Sequence, residues 1–284
     1  MSYKIIIDSC GELTADQKMD SHFENVALQL DVDDYHILDD ETFNQQEFLQ
    51  KVKESPNCPK SSCPSPDKYI DAFGEDATHI YIVTLSSQLS GSYNSAVLAK
   101  QMYEEGQQEN GDMPRQIHVF DSRSASIGET LIGMKVQELE EAGESFETIV
   151  ESVENYIEEM NTFFVLETLE TLRKNGRLSN IKAMIVNVLN IKPIMGSTNE
   201  GTIQVLGQAR GMNKALDSMV QKIIATTKNC EEKILAISHC NCPKRAEKVK
   251  EQIENMAKFK KIIILETAGV SSMYANDGGV IVAV

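Results

Sequence analysis

Thr78-His79-Ile80-Tyr81-Ile82-Val83-Thr84-Leu85-Ser86-Ser87-Gln88-Leu89-Ser90-Gly91-Ser92-Tyr93-Asn94-Ser95-Ala96 decides how the first half of this chain folds. Residues 78–84 are rich in β-branched and aromatic side chains, the composition of a buried strand. Residues 85–95 crowd serines and a glycine into a short turn, and residues 96–102 then read as helix. A strand that ends in a hydroxyl-rich turn and opens a helix offers an anion unpaired N–H groups and the positive end of a dipole. The same serines would equally cap the helix and close the turn. A second hydroxyl-rich turn upstream, at Ser61-Ser62, favours the anion reading.

Working outward, residues 3–7 read as a first strand, and Asp8-Ser9-Cys10-Gly11-Glu12-Leu13 as a tight turn after it. Residues 26–32 read as a second strand and residues 33–40 as a polar loop, with Thr42 capping a helix over 43–53. In residues 56–66 the prolines hold the chain extended and present Ser61 and Ser62 from a stiff backbone, unless the segment is only a connector. Ser65-Pro66-Asp67 starts another helix. Downstream, residues 116–120 form a strand that ends in Asp121-Ser122-Arg123-Ser124-Ala125-Ser126 and a helix over 127–141. Strand, polar turn and helix repeated in this way predict an α/β unit with a mostly parallel sheet and flanking helices. Such sheets bind ligands beyond the carboxyl ends of their strands, where these serine-rich turns fall.

The polar joint at residues 140–145 sets an expected boundary between an N-terminal α/β domain, 1–144, and a C-terminal domain, 145–284. In the second half, helices at 146–160, 168–174, 212–227 and 244–257 alternate with strands at 162–167, 232–238, 261–266 and 279–284. A hairpin turns at Asn199-Glu200-Gly201-Thr202. This half is read as α+β around its own sheet.

A chain of 284 residues is comfortable for two domains. Its net charge of -16, with no basic stripe, argues against nucleic acid and against docking on an anionic membrane. No apolar run approaches a membrane span, and the N-terminus reads as a strand and not as a leader, so a cytoplasmic protein is expected. Six cysteines in that compartment point to reduced thiols. Cys58…Cys63 and Cys240-Asn241-Cys242 lack zinc-site spacing, which leaves a metal site only if those loops meet in space. His22, His36, His79 and His118 are scattered and read as structural or exposed.

Taken together, Asp8-Ser9, Ser61-Ser62-Cys63-Pro64-Ser65, Leu85 to Ala96, Asp121-Ser122, Leu169 to Gly176-Arg177-Leu178-Ser179 and Lys192-Pro193-Ile194 resemble the DegV family of bacterial fatty-acid-binding proteins. No single motif decides this; their order and spacing along essentially the whole chain do. The resemblance implies two domains, a long-chain fatty acid in a tunnel within the second, and its carboxylate at the domain interface. It implies a carrier with no other cofactor, which in some members presents the acid to a separate kinase for phospholipid synthesis.

By motif position, Ser61 stands where the family has a carboxylate-binding Thr, Ser62 follows it, and Ser90 matches the Ser of the Leu-Ser-Gly turn; Ser87 is grouped with them. Cys63 replaces the family glutamine, and Tyr274 falls nearest to a family head-group His. Arg177 matches an interface arginine, and Met184, Val188 and Ile194 are expected along the tunnel. The helix-like segment 181–189 would suit that lining, or be ordinary core. Each buried CH₂ contributes about 0.8 kcal/mol, so a tail of about sixteen carbons supports tight binding in a dry tunnel.

Two other classes remain open at this level. A hydrolase would use Ser61, Ser87 or Ser90 as nucleophile with His239 as the only conceivable base, yet no Gly-x-Ser-x-Gly elbow or phosphate-binding loop is present. A carrier or sensor of another anionic amphiphile would use the same hydroxyl cradle.

Overall fold

The computed structural model describes residues 2–110, 115–178 and 190–284. The chain opens with β1 (Tyr3–Asp8), α1 (Ala15–Met19), β2 (Phe23–Val26), β3 (Gln29–Val32), β4 (Tyr35–Leu38) and α2 (Gln45–Glu54). Next come β5 (Lys60–Ser62), α3 (Pro66–Ala72), β6 (His79–Thr84), α4 (Ser92–Asn110), β7 (Gln116–Asp121) and α5 (Ile127–Glu141). Then follow α6 (Phe146–Glu159), β8 (Thr162–Val165), α7 (Glu170–Lys174), β9 (Ile191–Ser197), β10 (Ile203–Arg210) and α8 (Met212–Thr226). The chain closes with β11 (Ile234–His239), α9 (Pro243–Met256), β12 (Lys261–Glu266), α10 (Gly269–Ala275) and β13 (Val280–Ala283).

Alternate residues of β1 enter different cores, as the two-residue period of a strand requires. Ile5 and Ile7 pack with Tyr81 and Val83 against α5 and α6, whereas Ile6 packs with Ile80 and Ile82 against α3 and α4. The sheet runs β2-β1-β6-β7 with every pair parallel. Both faces are therefore covered, which is why the central strands β1 and β6 are buried almost throughout.

A second sheet, in the order β10-β9-β8-β13-β11-β12, is antiparallel except between β11 and β12. Helices α8 and α9 cover one face through Leu216, Met219, Val249 and Ile253. Part of the opposite face rests on α5, where Ile127 and Leu131 meet Ala236 and Ala283. The mixed α/β class is thus as expected, with a parallel first sheet and a separate sheet in the second half.

Four expectations change. Residues 26–32 are not one strand: the chain leaves the parallel sheet after Val26, and residues 29–32 start a small antiparallel sheet ordered β4-β3-β5. The Leu28 N–H donates to Ser9 Oγ at 3.0 Å in that step between sheets. The polar loop 33–40 contains β4, reached through a two-residue turn in which Asp33 takes φ 53°. Asn44, not Thr42, caps α2 by accepting from the Glu47 N–H at 3.1 Å. Finally, the polar joint at 140–145 separates two helices but not two cores. Ile149, Val153 and Ile157 of α6 complete the cluster around Ile5 and Tyr81, so the first core runs past the expected boundary at 144/145.

Candidate functional site

Asp8, at the end of β1, is fully buried and organises the surrounding turns. Its Oδ1 accepts from the Cys10 N–H at 3.1 Å and its Oδ2 from the Leu85 N–H at 3.0 Å. Two buried amides otherwise left unpaired are satisfied, and the start of the serine turn is fixed to the first strand. Ser90 closes that turn. Its N–H donates to the Ser86 carbonyl at 3.1 Å, and its Oγ accepts from the Ser92 N–H at 3.2 Å. Ser90 thus stops the turn and caps the first residue of α4 in one conformation.

The small sheet brings in the second hydroxyl. In β5, Ser61 pairs with Leu30 of β3 and approaches Tyr274 of α10, Oγ to Oη, at 3.4 Å. Helix α10 is anchored to the small sheet by Asp39, whose carboxylate accepts from the Gly269 and Val270 N–H groups at 2.6 and 2.7 Å. Gln45 adds donations to Thr267 and Ser272. Arg177 approaches from the other half of the chain. Its Nε donates to the Leu89 carbonyl at 3.1 Å, its Nη1 to the Asn175 carbonyl at 2.7 Å, and its guanidinium carbon lies 5.7 Å from the Tyr274 ring centroid.

Ser61, Ser90, Arg177 and Tyr274 line one cavity. Its walls are apolar: Leu85 and Leu89 from the first domain, Phe164, Leu166 and Ile203 from the second sheet, and Leu172 from α7. Apolar walls with a few convergent polar groups are the usual chemistry of small-molecule sites.

Of the residues singled out from sequence, Ser61, Ser90, Arg177 and Tyr274 meet in this lining. Ser62 does not. It is the next residue of the same strand, so it points to the opposite side and is exposed. Ser87 lies outside the lining as well; its N–H donates to Asp121 Oδ1 at 3.0 Å. Ile194 is buried on the far face of the second sheet, among the α8 side chains. Met184 and Val188 fall outside the described residues. His239 does not line the cavity, and its Nδ1 accepts from the Cys242 N–H at 3.3 Å. The serines therefore have no imidazole base beside them. Cys10, Ser126 and Ser271 also line the cavity and were not anticipated as site residues. A signal for Cys10 was present, since it sits in the turn directly after the first strand.

The acids around this site are held against ionisation by burial. Desolvation pushes Asp8 and Asp39 up to about 6 and Glu12 to about 7, and Glu129 well above the carboxylate range. Burial also raises the Tyr274 phenol, so it stays a neutral donor. The cations in the cavity wall are Arg177 and Arg123. Among the described residues, no group of three or more His, Cys, Asp or Glu is placed to hold a metal ion, and no helix is long and apolar enough to cross a membrane.

Fold and cavity together define a mixed α/β protein with two sheets and a largely apolar cavity edged by hydroxyl groups. The chain belongs to the DegV family: residues 2–284 match the family model described as "Uncharacterised protein, DegV family". A DegV domain-containing protein of Streptococcus gordonii is 35% identical over 288 residues, covering 99% of this chain and 98% of the relative. A DegV-family crystal structure from Ruminococcus gnavus, an alternative refinement with vaccenic acid, is 54% identical with a TM-score of 0.95 and covers 100% of both chains. The Streptococcus pneumoniae Fatty Acid Kinase (Fak) B3 protein loaded with linoleic acid is 32% identical with a TM-score of 0.87, covering 100% of this chain and 99% of that one.

Proposed function

We propose that this protein binds a long-chain fatty acid and carries it without chemical change. The observation that carries this reading is the cavity itself, largely apolar along its walls, with Ser61, Ser90, Arg177 and Tyr274 gathered in its lining. Neutral hydroxyls satisfy a buried carboxylate at less desolvation cost than a second buried charge would, and Arg177 adds a cation at the rim. The acyl chain lies under the open face of the second sheet, against Phe164, Leu166 and Ile203. The fatty acids named for the Ruminococcus gnavus and Streptococcus pneumoniae structures support the ligand class.

The carrier hands its ligand to a fatty acid kinase, a role supported by the name of the pneumococcal relative. It works in the cytoplasm, in keeping with six cysteines that are all free. Mass spectrometry of organic extracts from freshly purified protein, beside the Ser61→Ala/Ser90→Ala double variant, tests the proposal. One long-chain fatty acid per wild-type chain, lost from the variant, is the expected result. A wild-type extract without lipid, together with no uptake of added fatty acid, would overturn it. Lipid of another anionic class in the extract would transfer the same site to that amphiphile.

A further inference from the structure

Glu129, on the first turn of α5, is the most conspicuous group that ligand contact leaves unexplained. It is fully buried, and neither carboxyl oxygen finds a donor among the surrounding groups. An orphaned buried carboxylate is costly enough that the site must supply a partner or the group must stay neutral. The neighbours facing it are the Asp8 carboxyl and the Cys10 thiol, and Glu129 Oε2 lies 3.4 Å from where a Gly11 Cβ would stand, in the turn that Asp8 opens. Two carboxylates are both acceptors and cannot bond to one another, so a hydrogen bond between them requires a proton on one. Asp8 already accepts two backbone N–H groups, from Cys10 and Leu85, which favours the ionised form there. The proton therefore resides on Glu129.

The backbone is built for this approach. A Cβ added to Gly11 would lie 2.8 Å from Glu129 Cβ and 2.7 Å from Ile7 Cγ2, so only glycine lets the turn close over α5 here. The titratable groups facing Glu129 are Asp8 on β1, Cys10 and Glu12 in the following turn, and Tyr69 on α3, none of them cationic. Asp39 lies one step beyond, against Asp8.

We propose that Glu129, as a neutral carboxylic acid donating to Asp8, is a positioning residue for the head-group hydroxyl of Ser90. The connection is short. Asp8 Oδ2 holds the Leu85 amide at the start of the turn at 3.0 Å, and the Ser90 N–H closes that turn on the Ser86 carbonyl at 3.1 Å. The Ser92 amide donates to Ser90 Oγ at 3.2 Å, so the orientation of the Ser90 hydroxyl follows the turn that Asp8 holds. Removing the proton from Glu129 places two charges side by side in the dry interior, and Asp8 then loosens its hold on the turn.

This inference rests on the fatty-acid reading only for its binding readout. Fluorescent fatty-acid binding is measured from about pH 6 to about pH 9 for the wild type, Glu129→Met and Glu129→Gln. Met keeps the volume without a donor, and Gln restores one. Glu129→Met weakens binding roughly tenfold, and Glu129→Gln recovers most of that loss. Wild-type affinity falls as pH rises, and the fall is shallower in Glu129→Gln. Equal losses in the two variants, or coincident wild-type and Glu129→Gln profiles, would overturn the proposal. An infrared C=O band of a protonated carboxyl at neutral pH, absent from Glu129→Gln, reads the proton with no lipid present. Its absence from the wild type overturns the proposal, while a wild type that shows the band yet takes up no fatty acid defeats the ligand assignment instead.

Discussion

Ser90 bears on the question its turn posed in the sequence, because a capping atom and a cavity-lining residue coincide there. Its Oγ accepts from the amide of Ser92, and it also lines the cavity. Tyr274 is comparable: the phenol reaches Ser61, and the ring lies beside the Arg177 guanidinium. Truncating it to Phe removes a donor and leaves the packing. Tyr274→Phe is expected to weaken fatty-acid affinity by about 0.5–1.5 kcal/mol, with the thermal midpoint little changed, as read by ligand titration and melting side by side. Unchanged affinity would place the carboxylate elsewhere in the cavity. The residues misplaced from sequence share one cause. Ser62 follows Ser61 and Ile194 precedes Met195 on strands, where a step of one residue reverses the face. Met195 packs with Phe164 and Leu166 while Ile194 packs with α8. Motif matching named these stretches, but only the pairing of β5 and β9 says which of two neighbours faces which side.

Helix α5 explains why the two halves form one site. It presents Ile132 and Val136 to the parallel sheet, and Ile127 and Leu131 to the second sheet. A helix buried on two sides loses the single apolar stripe of a surface helix, which suits Ile127 to Gly133 being buried without interruption. Leu131→Ala is expected to cost about 2–5 kcal/mol in urea unfolding, while Leu98→Ala, at a position 47% exposed on α4, changes little. Similar small losses at both positions would mean that the sheets do not depend on α5. Helices and apolar strands were legible because their period is local: α5 and β12 stand where residues 127–141 and 261–266 predicted them. The small sheet was not legible. Its strands are three or four residues long, and β4 alternates half-buried with exposed positions, so neither length nor pattern separates it from loop. Helix α10 was missed for a related reason. Its N-terminus is capped by Asp39, some 230 residues away in sequence, and not by its own N-cap side chain.

At the scale of the whole molecule, four buried acids set the response to pH. Asp8 and Asp39 titrate near 6, Glu12 near 7 and Glu129 higher, all raised chiefly by burial. In the unfolded chain such groups titrate near 4. A folded value above the unfolded one means that the folded state binds the proton more tightly. The stability tied to these protons is fully present below about pH 4 and is lost as pH rises through the folded values. Asp8, Asp39 and Glu12, each taken alone, are worth on the order of 3 kcal/mol, and the repulsion among Asp8, Glu12 and Glu129 couples their titrations. The protein is therefore expected to melt at a higher temperature near pH 6 than near pH 8, checked by calorimetry across that range. The net charge of -16 would produce the same trend through repulsion between surface carboxylates. Salt separates the two causes. At about 1 M salt the screening length falls to about 3 Å, which removes the surface contribution and leaves the buried one. A slope that survives high salt and shrinks in Glu129→Gln belongs to the interior acids; a slope abolished by salt alone belongs to the surface and would remove the buried cluster from any account of pH sensitivity.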